Sequence, residues 1–255
     1  MFASAKLTAT IALALAASIF PHPAAASPAA QLKDRSFYEE RGDIVWEVPM
    51  DEKFIALTFD DGPDARQTPE ILKVLKQYDA KATFFLVGER VQRYPEIVRR
   101  ELEEGHEIAN HSFHHPSFRG ISADSLTSEL TETQEAILAA TGSTPVLFRP
   151  PGGYYNEKII RLSKQERLQM ILWSWHQDTK DWTSPGIHKI AERVLKNARN
   201  GDIVLMHDFV HNSLQTPEAL KLILPELKKQ GYSFVTVSEL LSRKVAPKKH
   251  IEVSH

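Results

Sequence analysis

Strand-like and helix-like segments alternate along most of this 255-residue chain. Short apolar segments begin at Phe54, Ala82 and Glu107, and the pattern continues to a last apolar segment over 232–235. Between them lie amphipathic segments whose apolar residues recur every three or four positions, as in helices. Such alternation favours a parallel sheet with crossover helices. With about seven units and no linker between them, we predict a single α/β domain, a distorted, TIM-like (β/α) barrel of about seven parallel strands.

The N-terminus differs from the rest of the chain. Lys6 precedes an apolar run over 7–20, and three alanines follow at 24–26. This arrangement is typical of a secretory signal peptide, and the run is short for a bilayer span. We expect a signal peptide over 1–26, a lead-in segment over 27–53, the α/β domain over 54–242 and a basic tail over 243–255. The protein would then be secreted or cell-wall associated, without stable membrane insertion after cleavage; an uncleaved anchor is the alternative.

Composition limits the partners and the metal ligands. The net charge of -2 gives no argument for nucleic acid, and we expect none as a partner. Apolar residues make up 42% of the chain, enough to bury a sizeable core. Because the chain has no cysteine, any metal ion must be held by histidine and carboxylate. We expect a monomer.

Polar residues cluster at the carboxyl ends of five predicted strands. The five groups are Asp60 with Asp61, the histidine-rich stretch 111–115, Arg149 with 150–153, the stretch 178–182, and His207 with Asp208. In a barrel these strand ends share one face, where active sites are built. The sequence therefore predicts that five loops form one pocket.

The first two groups suggest a metal site. Adjacent carboxylates repel each other unless a cation lies nearby. His111 and His115 are four residues apart, which on a helical turn places both imidazoles on one side. With Asp61 they would supply two nitrogens and one oxygen, an open catalytic site for a zinc-like ion. His114 in place of His115 is an alternative, and a solvated loop is the non-functional interpretation.

Five motifs resemble, in order, those of the polysaccharide deacetylase family, the NodB-homology group of carbohydrate esterase family 4. They are TFDDGP at 58–63, NHSFHHP at 110–116, FRPPGG at 148–153, DTKDW at 178–182 and LMH at 205–207. The resemblance covers about residues 54–241. It implies a metal-dependent enzyme that hydrolyses N-acetyl groups of a polysaccharide.

The resemblance also implies catalytic roles, residue by residue. The metal ligands would be Asp61, His111 and His115, and the cofactor one divalent ion, zinc first, with cobalt, nickel or manganese as alternatives. The remaining catalytic residues would be the base Asp60, Arg149 that holds it, the acid His207 and its partner Asp178.

Several residues near these motifs would bind the substrate. Gly152 stands where many family members have tyrosine, and its backbone N–H would help to form the oxyanion hole. Trp182 and Leu205 match walls of a pocket for the acetyl methyl group. Tyr154 lines a sugar groove or packs in the fold. Trp173 and Trp175 lie on a predicted strand over 169–175 that has one face in the core, and both rings as sugar platforms is the alternative.

These expectations converge on a hydrolase acting on linear amides, an N-deacetylase of GlcNAc-type polysaccharide. Peptidoglycan is the first substrate and chitin or chitooligosaccharide the second; acetylxylan esterase is a third alternative. A catalytically silent sugar-binding protein and a glycosidase are the competing classes. A glycosidase is disfavoured because adjacent carboxylates do not easily flank a scissile bond.

Overall fold

The computed structural model describes Met1 and residues 33–244, and residues 33–244 build a curled sheet surrounded by helices. The strands are β1 (Ile44–Val45), β2 (Phe54–Asp60), β3 (Ala82–Leu86), β4 (Glu107–Asn110), β5 (Leu147–Phe148), β6 (Gln169–Ile171), β7 (Ile203–His207) and β8 (Ser233–Phe234). The helices are α1 (Arg35–Glu40), α2 (Gln67–Gln77), α3 (Gly88–Arg93), α4 (Pro95–Glu103), α5 (Ala123–Thr141), α6 (Glu157–Gln165), α7 (Ile187–Asn197), α8 (Gln215–Lys229) and α9 (Val237–Ser242).

Seven strands form one continuous parallel path in the order β1-β6-β5-β4-β3-β2-β7, and β8 pairs in parallel with the start of β2. The predicted distorted barrel of about seven parallel strands is confirmed. The two ends of the path are linked by an isolated bridge from Glu47 to Asp202, and Nε2 of His176 lies 2.9 Å from Oδ1 of Asp202.

Strand β2, which pairs with three other strands, is buried along nearly its whole length. It pairs with β3 on one side and β7 on the other, and this register sets Asp60 opposite His207. Phe59 of β2 stacks on Phe84 of β3, with ring centroids 5.1 Å apart. Strands buried on both faces have continuous apolar sequences, and the run from Phe54 to Phe59 is of this kind.

The predicted strand over 169–175 ends at Ile171 instead. The carbonyl groups of Ile171 and Leu172 accept hydrogen bonds from the guanidinium of Arg149. These two carbonyl groups therefore bond to a side chain instead of to a neighbouring strand, at the point where β6 would continue. Residues 175–177 form a short 3-10 turn.

The segment before β2 is part of the folded unit, whereas the sequence predicted no elements there. Asp34 caps α1 by accepting a hydrogen bond from the Phe37 N–H, and Tyr38 and Trp46 are fully buried. Strand β1 extends the sheet beyond β6. The boundary of the catalytic domain at residue 54 stays a prediction.

The signal peptide over 1–26 and all but the first two residues of the basic tail lie outside the described segment 33–244. Among the residues that are described, none of the helices has the length and hydropathy needed to cross a bilayer.

Candidate functional site

Loops at the carboxyl ends of the strands enclose a cavity of about 350 Å³. It contains residues from all five motif groups and is lined by Asp60, Asp61, His111, His115, Gly152, Gly153, Trp173, Asp178, Trp182, Leu205 and His207. A larger groove of about 620 Å³ runs along α6, but it contains none of these groups. The chemistry-bearing residues therefore meet in the smaller and more enclosed cavity.

Asp61, His111 and His115 form a group with one ligand atom from each residue, all within 4.8 Å of one another. Oδ1 of Asp61 lies 3.4 Å from Nε2 of His111 and 3.2 Å from Nε2 of His115. The alternative ligand His114 does not join this group, because its Nδ1 pairs with Glu129 at 2.8 Å.

The histidine loop is not the helical turn that the i, i+4 spacing predicted. Residues 111–116 contain no helix, and the prediction of a helical turn is wrong. Ser112 and His115 instead adopt left-handed backbone conformations, with φ of 67° and 54°. Oγ of Ser112 accepts a hydrogen bond from the His115 N–H, which closes the loop on itself. Asp61 is also left-handed, with φ of 75°, so two of the three candidate ligands occupy backbone conformations that favour glycine.

The chemistry of this group fits a bound cation. Nδ1 of His111 donates to the carbonyl of Arg149 at 2.7 Å, and since a carbonyl only accepts, Nε2 presents its lone pair to the cavity. Oδ1 of Asp61 is buried and has no hydrogen-bond partner among the described residues. Lone pairs that converge without donors between them are costly unless a cation lies among them. The carboxylate and two imidazoles are ligands suited to a zinc-like ion.

Charge also couples the members of this group. Burial opposes ionisation, but Asp60 and Asp61 outweigh it and raise the pKa of His111. Burial would raise the pKa of Asp61, but the surrounding histidines, His111 above all, hold that pKa well below its ordinary value.

Asp60 faces the same cavity and is held by Arg149. The fully buried guanidinium donates from Nη1 to Oδ1 of Asp60 at 2.6 Å and to Oγ1 of Thr58 at 2.9 Å. Its other nitrogens donate to the backbone carbonyls described above, so its position is fixed by the sheet. The second carboxylate oxygen, Oδ2, lies 3.7 Å from Nε2 of His111. Asp60 therefore has one oxygen fixed by a cation and one directed toward the metal-ligand group.

The partner of His207 is Asp181, and the predicted pairing with Asp178 is wrong. Oδ1 of Asp181 lies 2.7 Å from Nδ1 of His207, and its Oδ2 accepts from the His207 N–H and from Thr216 Oγ1. Asp178 lines the cavity, and its Oδ1 accepts from the Lys180 N–H. Burial alone would lower the pKa of His207, but Asp181, aided by Asp60 and Asp61, raises it to about 9.

The predicted substrate-binding residues divide into two groups. Gly152, Trp182 and Leu205 line the cavity, and Trp182 is 58% exposed. A Cβ at Gly152 would meet no atom within 4 Å, although its φ of 60° favours glycine. Tyr154 does not line the cavity; it packs against the core and lies under the guanidinium of Arg119.

Sequence reasoning considered Trp173 as a sugar platform but did not predict it as a wall of the catalytic cavity, and it missed Thr216 as a hydrogen-bond donor to the Asp181 carboxylate. The position of Trp173 in the cavity depends on a contact between residues that are distant in sequence. The side chain packs against Gly153, where a Cβ would lie 2.7 Å from the indole ring. Thr216 is the second residue of a different helix, α8, and nothing near it in sequence indicates its partner.

Comparison with known proteins gives consistent results. The family model described as polysaccharide deacetylase matches residues 47–171. A peptidoglycan-N-acetylglucosamine deacetylase of Bacillus cereus is 50% identical over 210 residues, which cover 82% of this chain and 98% of that protein. A chitooligosaccharide deacetylase of Rhizobium leguminosarum bv. trifolii is 37% identical, covering 76% of this chain and 97% of that protein. The crystal structure of the Bc1960 peptidoglycan N-acetylglucosamine deacetylase superposes with a TM-score of 0.77 at 35% identity, covering 80% of this chain and 95% of that one.

Proposed function

Since this chain belongs to the polysaccharide deacetylase family, we propose that it is a hydrolase that removes acetyl groups from the N-acetylated sugars of peptidoglycan. The amide C–N bond breaks, and water supplies the atoms that give acetate and a free amino sugar. One observation carries this proposal: a single cavity contains a metal-ligand group, a carboxylate held by arginine and a histidine paired with a buried carboxylate. The Bacillus cereus relative, matched over 98% of its length, supports peptidoglycan as the substrate.

Asp61, His111 and His115 would hold one divalent metal ion. Zinc is the first candidate because two imidazoles and a carboxylate suit it, and cobalt, nickel and manganese are alternatives. When bound, the ion would polarise the amide carbonyl and lower the pKa of water at the site.

Asp60 would act as the general base. The hydrogen bond from Arg149 fixes one carboxylate oxygen and leaves the other free to take a proton from the attacking water. The arginine cannot compete for that proton because it stays charged across the physiological range. A base held on a buried strand is positioned by the sheet rather than by a mobile loop.

His207 would act as the general acid. An amine leaves poorly until its nitrogen is protonated, so the acid must carry a proton at the working pH. The hydrogen bond to Asp181 keeps the imidazole charged up to about pH 9 and fixes which ring nitrogen faces the cavity. We assign Asp178, which lines the cavity without contacting the imidazole, to the substrate side of the pocket.

Negative charge develops on the acetyl oxygen during attack. We assign the backbone N–H of Gly152 to stabilise it, an effect worth about 3 kcal/mol per donor. Trp182 and Leu205 would enclose the acetyl methyl group, whose burial excludes bulkier acyl groups. Tyr154 supports the loop from beneath rather than contacting the sugar.

Chitooligosaccharide is the second candidate substrate, and the Rhizobium relative favours it. A protein that modifies a cell-wall polymer works outside the cytoplasm, which agrees with the predicted signal peptide over 1–26. Secretion, the monomeric state and zinc as the native metal remain predictions.

Acetate release measured on peptidoglycan, chitooligosaccharides and acetylxylan tests the proposal. We expect release from peptidoglycan without new reducing ends, and loss of release in the Asp60→Asn variant. New reducing ends would identify a glycosidase, and binding without release would identify a silent sugar-binding protein. Faster release from acetylxylan than from either N-acetylated polymer would overturn the substrate class.

A further inference from the structure

Glu129 on helix α5 binds the backbone of the histidine loop, residues 111–115. Its Oε2 accepts hydrogen bonds from the N–H groups of Phe113 and His114, both at 2.8 Å, and its Oε1 lies 2.8 Å from Nδ1 of His114. The Glu129 side chain is only 12% exposed, although it does not line the catalytic cavity. One carboxylate therefore makes three contacts to a loop that it does not share a secondary-structure element with.

The histidine loop joins two candidate metal ligands, His111 and His115. Ser112 and His115 have left-handed backbone conformations, which residues other than glycine rarely adopt. Such conformations persist only where the surrounding structure holds them. A change in the loop backbone would move Nε2 of His115, which lies 3.2 Å from Oδ1 of Asp61. The geometry of the metal-ligand group therefore depends on whatever fixes this loop.

The N–H groups over 112–115 all donate to side-chain oxygens. The Ser112 N–H donates to Asn110 and the His115 N–H to Ser112, so both of these bonds stay within one short stretch of chain. The Phe113 and His114 N–H groups donate instead to a different element, helix α5. Water could satisfy these two groups in place of the carboxylate, but water would not fix their position. Glu129 therefore ties the middle of the loop to the helix.

We propose that Glu129 is a positioning residue for the metal site, which holds the histidine loop in the conformation that places His115 beside Asp61. The inference rests on the proposed function in one respect, since it takes the bound group to be a divalent metal ion. Ligands that are already in place bind an ion more tightly, because no loop must be ordered on binding. Loss of the Glu129 carboxylate should therefore weaken metal binding without removing a ligand.

The zinc affinity of the metal-free protein, measured against a competing chelator, tests this inference. For Glu129→Ala we expect the dissociation constant for zinc to rise about tenfold, with one ion still bound per chain. Glu129→Gln should recover most of the affinity, because its amide oxygen can accept both N–H bonds and its amide nitrogen can donate to His114. Glu132→Ala is the matched control and should leave the constant unchanged, since Glu132 is a carboxylate of the same helix whose Oε1 accepts from Ser128.

Hydrogen exchange separates positioning from a general loss of stability. In Glu129→Ala the amide hydrogens of Phe113 and His114 should exchange faster, whereas those of β2 should keep their protection. Ile159→Val shortens a buried side chain in α6, and it should lower the unfolding temperature without changing the zinc constant.

Three results would overturn the role of Glu129. They are an unchanged zinc constant in Glu129→Ala, an equal rise in Glu129→Gln, and an equal rise in Ile159→Val. If the unmodified protein binds zinc but releases no acetate, the proposed function fails, and the zinc constants still decide the role of Glu129. If the unmodified protein binds no divalent metal ion, both proposals fail.

Discussion

Replacing Asp181 by asparagine should move the alkaline limb of the pH–rate profile to lower pH. The proposed acid must carry a proton to reach the amine, so activity falls as the pH rises through the pKa of His207. Asp181 keeps that pKa at about 9, against an ordinary value of 6.5, by a hydrogen bond of 2.7 Å and by its charge. Asparagine retains the shape and removes the charge, so only Asp60 and Asp61 would remain to oppose burial, and the pKa of His207 would fall toward its ordinary value.

The size of the effect follows from the two pKa values. At about pH 8 an acid with a pKa of about 9 is roughly nine-tenths protonated, whereas one with a pKa of 6.5 is roughly one-thirtieth protonated. We therefore expect kcat/KM of Asp181→Asn to fall about 30-fold at pH 8 and less than about twofold at pH 6. A bound cation would oppose the contribution of Asp60 and Asp61 in both proteins alike, so the difference still reports Asp181.

Rate measurements from pH 5 to 10 on metal-loaded protein check this prediction, with Asp178→Asn as the matched control. Asp178 is a cavity carboxylate in the same loop that does not contact His207, so its loss should leave the alkaline limb in place. The reasoning fails if Asp178→Asn shifts the limb and Asp181→Asn does not. A uniform loss of rate at every pH in Asp181→Asn would also refute it, because that result would indicate misplacement rather than a changed pKa.

Three further predictions concern the metal, the core and the N-terminus. Asp61→Ala should lose metal and activity with partial rescue by added metal, whereas Asp60→Asn should keep its metal and lose about 10²–10⁴-fold in rate. Metal analysis of both variants decides, and the opposite pattern would reverse their roles. Burial, with Asp208 nearby, raises the pKa of Glu101 well above its ordinary value, which costs stability once the pH exceeds that ordinary value. Glu101→Gln should therefore raise the unfolding temperature by a few degrees near pH 8 and little near pH 4; equal shifts would contradict this. N-terminal sequencing of exported protein should start within a few residues of Ser27, and intact Met1 on membrane-bound protein would exclude cleavage.

Elements whose boundaries carry local sequence signals can be predicted from the sequence. Helix α5 begins after Ser122, whose side chain caps it, and ends at Gly142, where φ is 74°. Strand β2 is a continuous apolar run with Asp60 at its end. Strand β1 has two residues, too few for a periodic pattern, and only its pairing with β6 makes it a strand.

The site was predicted less completely, because backbone conformation decides which side chains meet. Asp178 and Asp181 are three residues apart in one loop, and composition does not distinguish them. Lys180 adopts a left-handed conformation with φ of 50°, and this turn directs Asp181 back to strand β7. Since side chains of that type rarely adopt such a conformation, no sequence pattern predicts it.

The left-handed backbone at the candidate ligands has a consequence for engineering. Asp61, Ser112 and His115 each hold a conformation that costs a non-glycine residue about 1–2 kcal/mol. Glycine at any of the three positions would remove the backbone strain there. Glycine at Asp61 or His115 would also remove a candidate metal ligand. Directed evolution for heat resistance alone would therefore favour substitutions that abolish metal binding and activity. A thermostabilisation library should keep these three positions fixed and place its diversity elsewhere on the barrel.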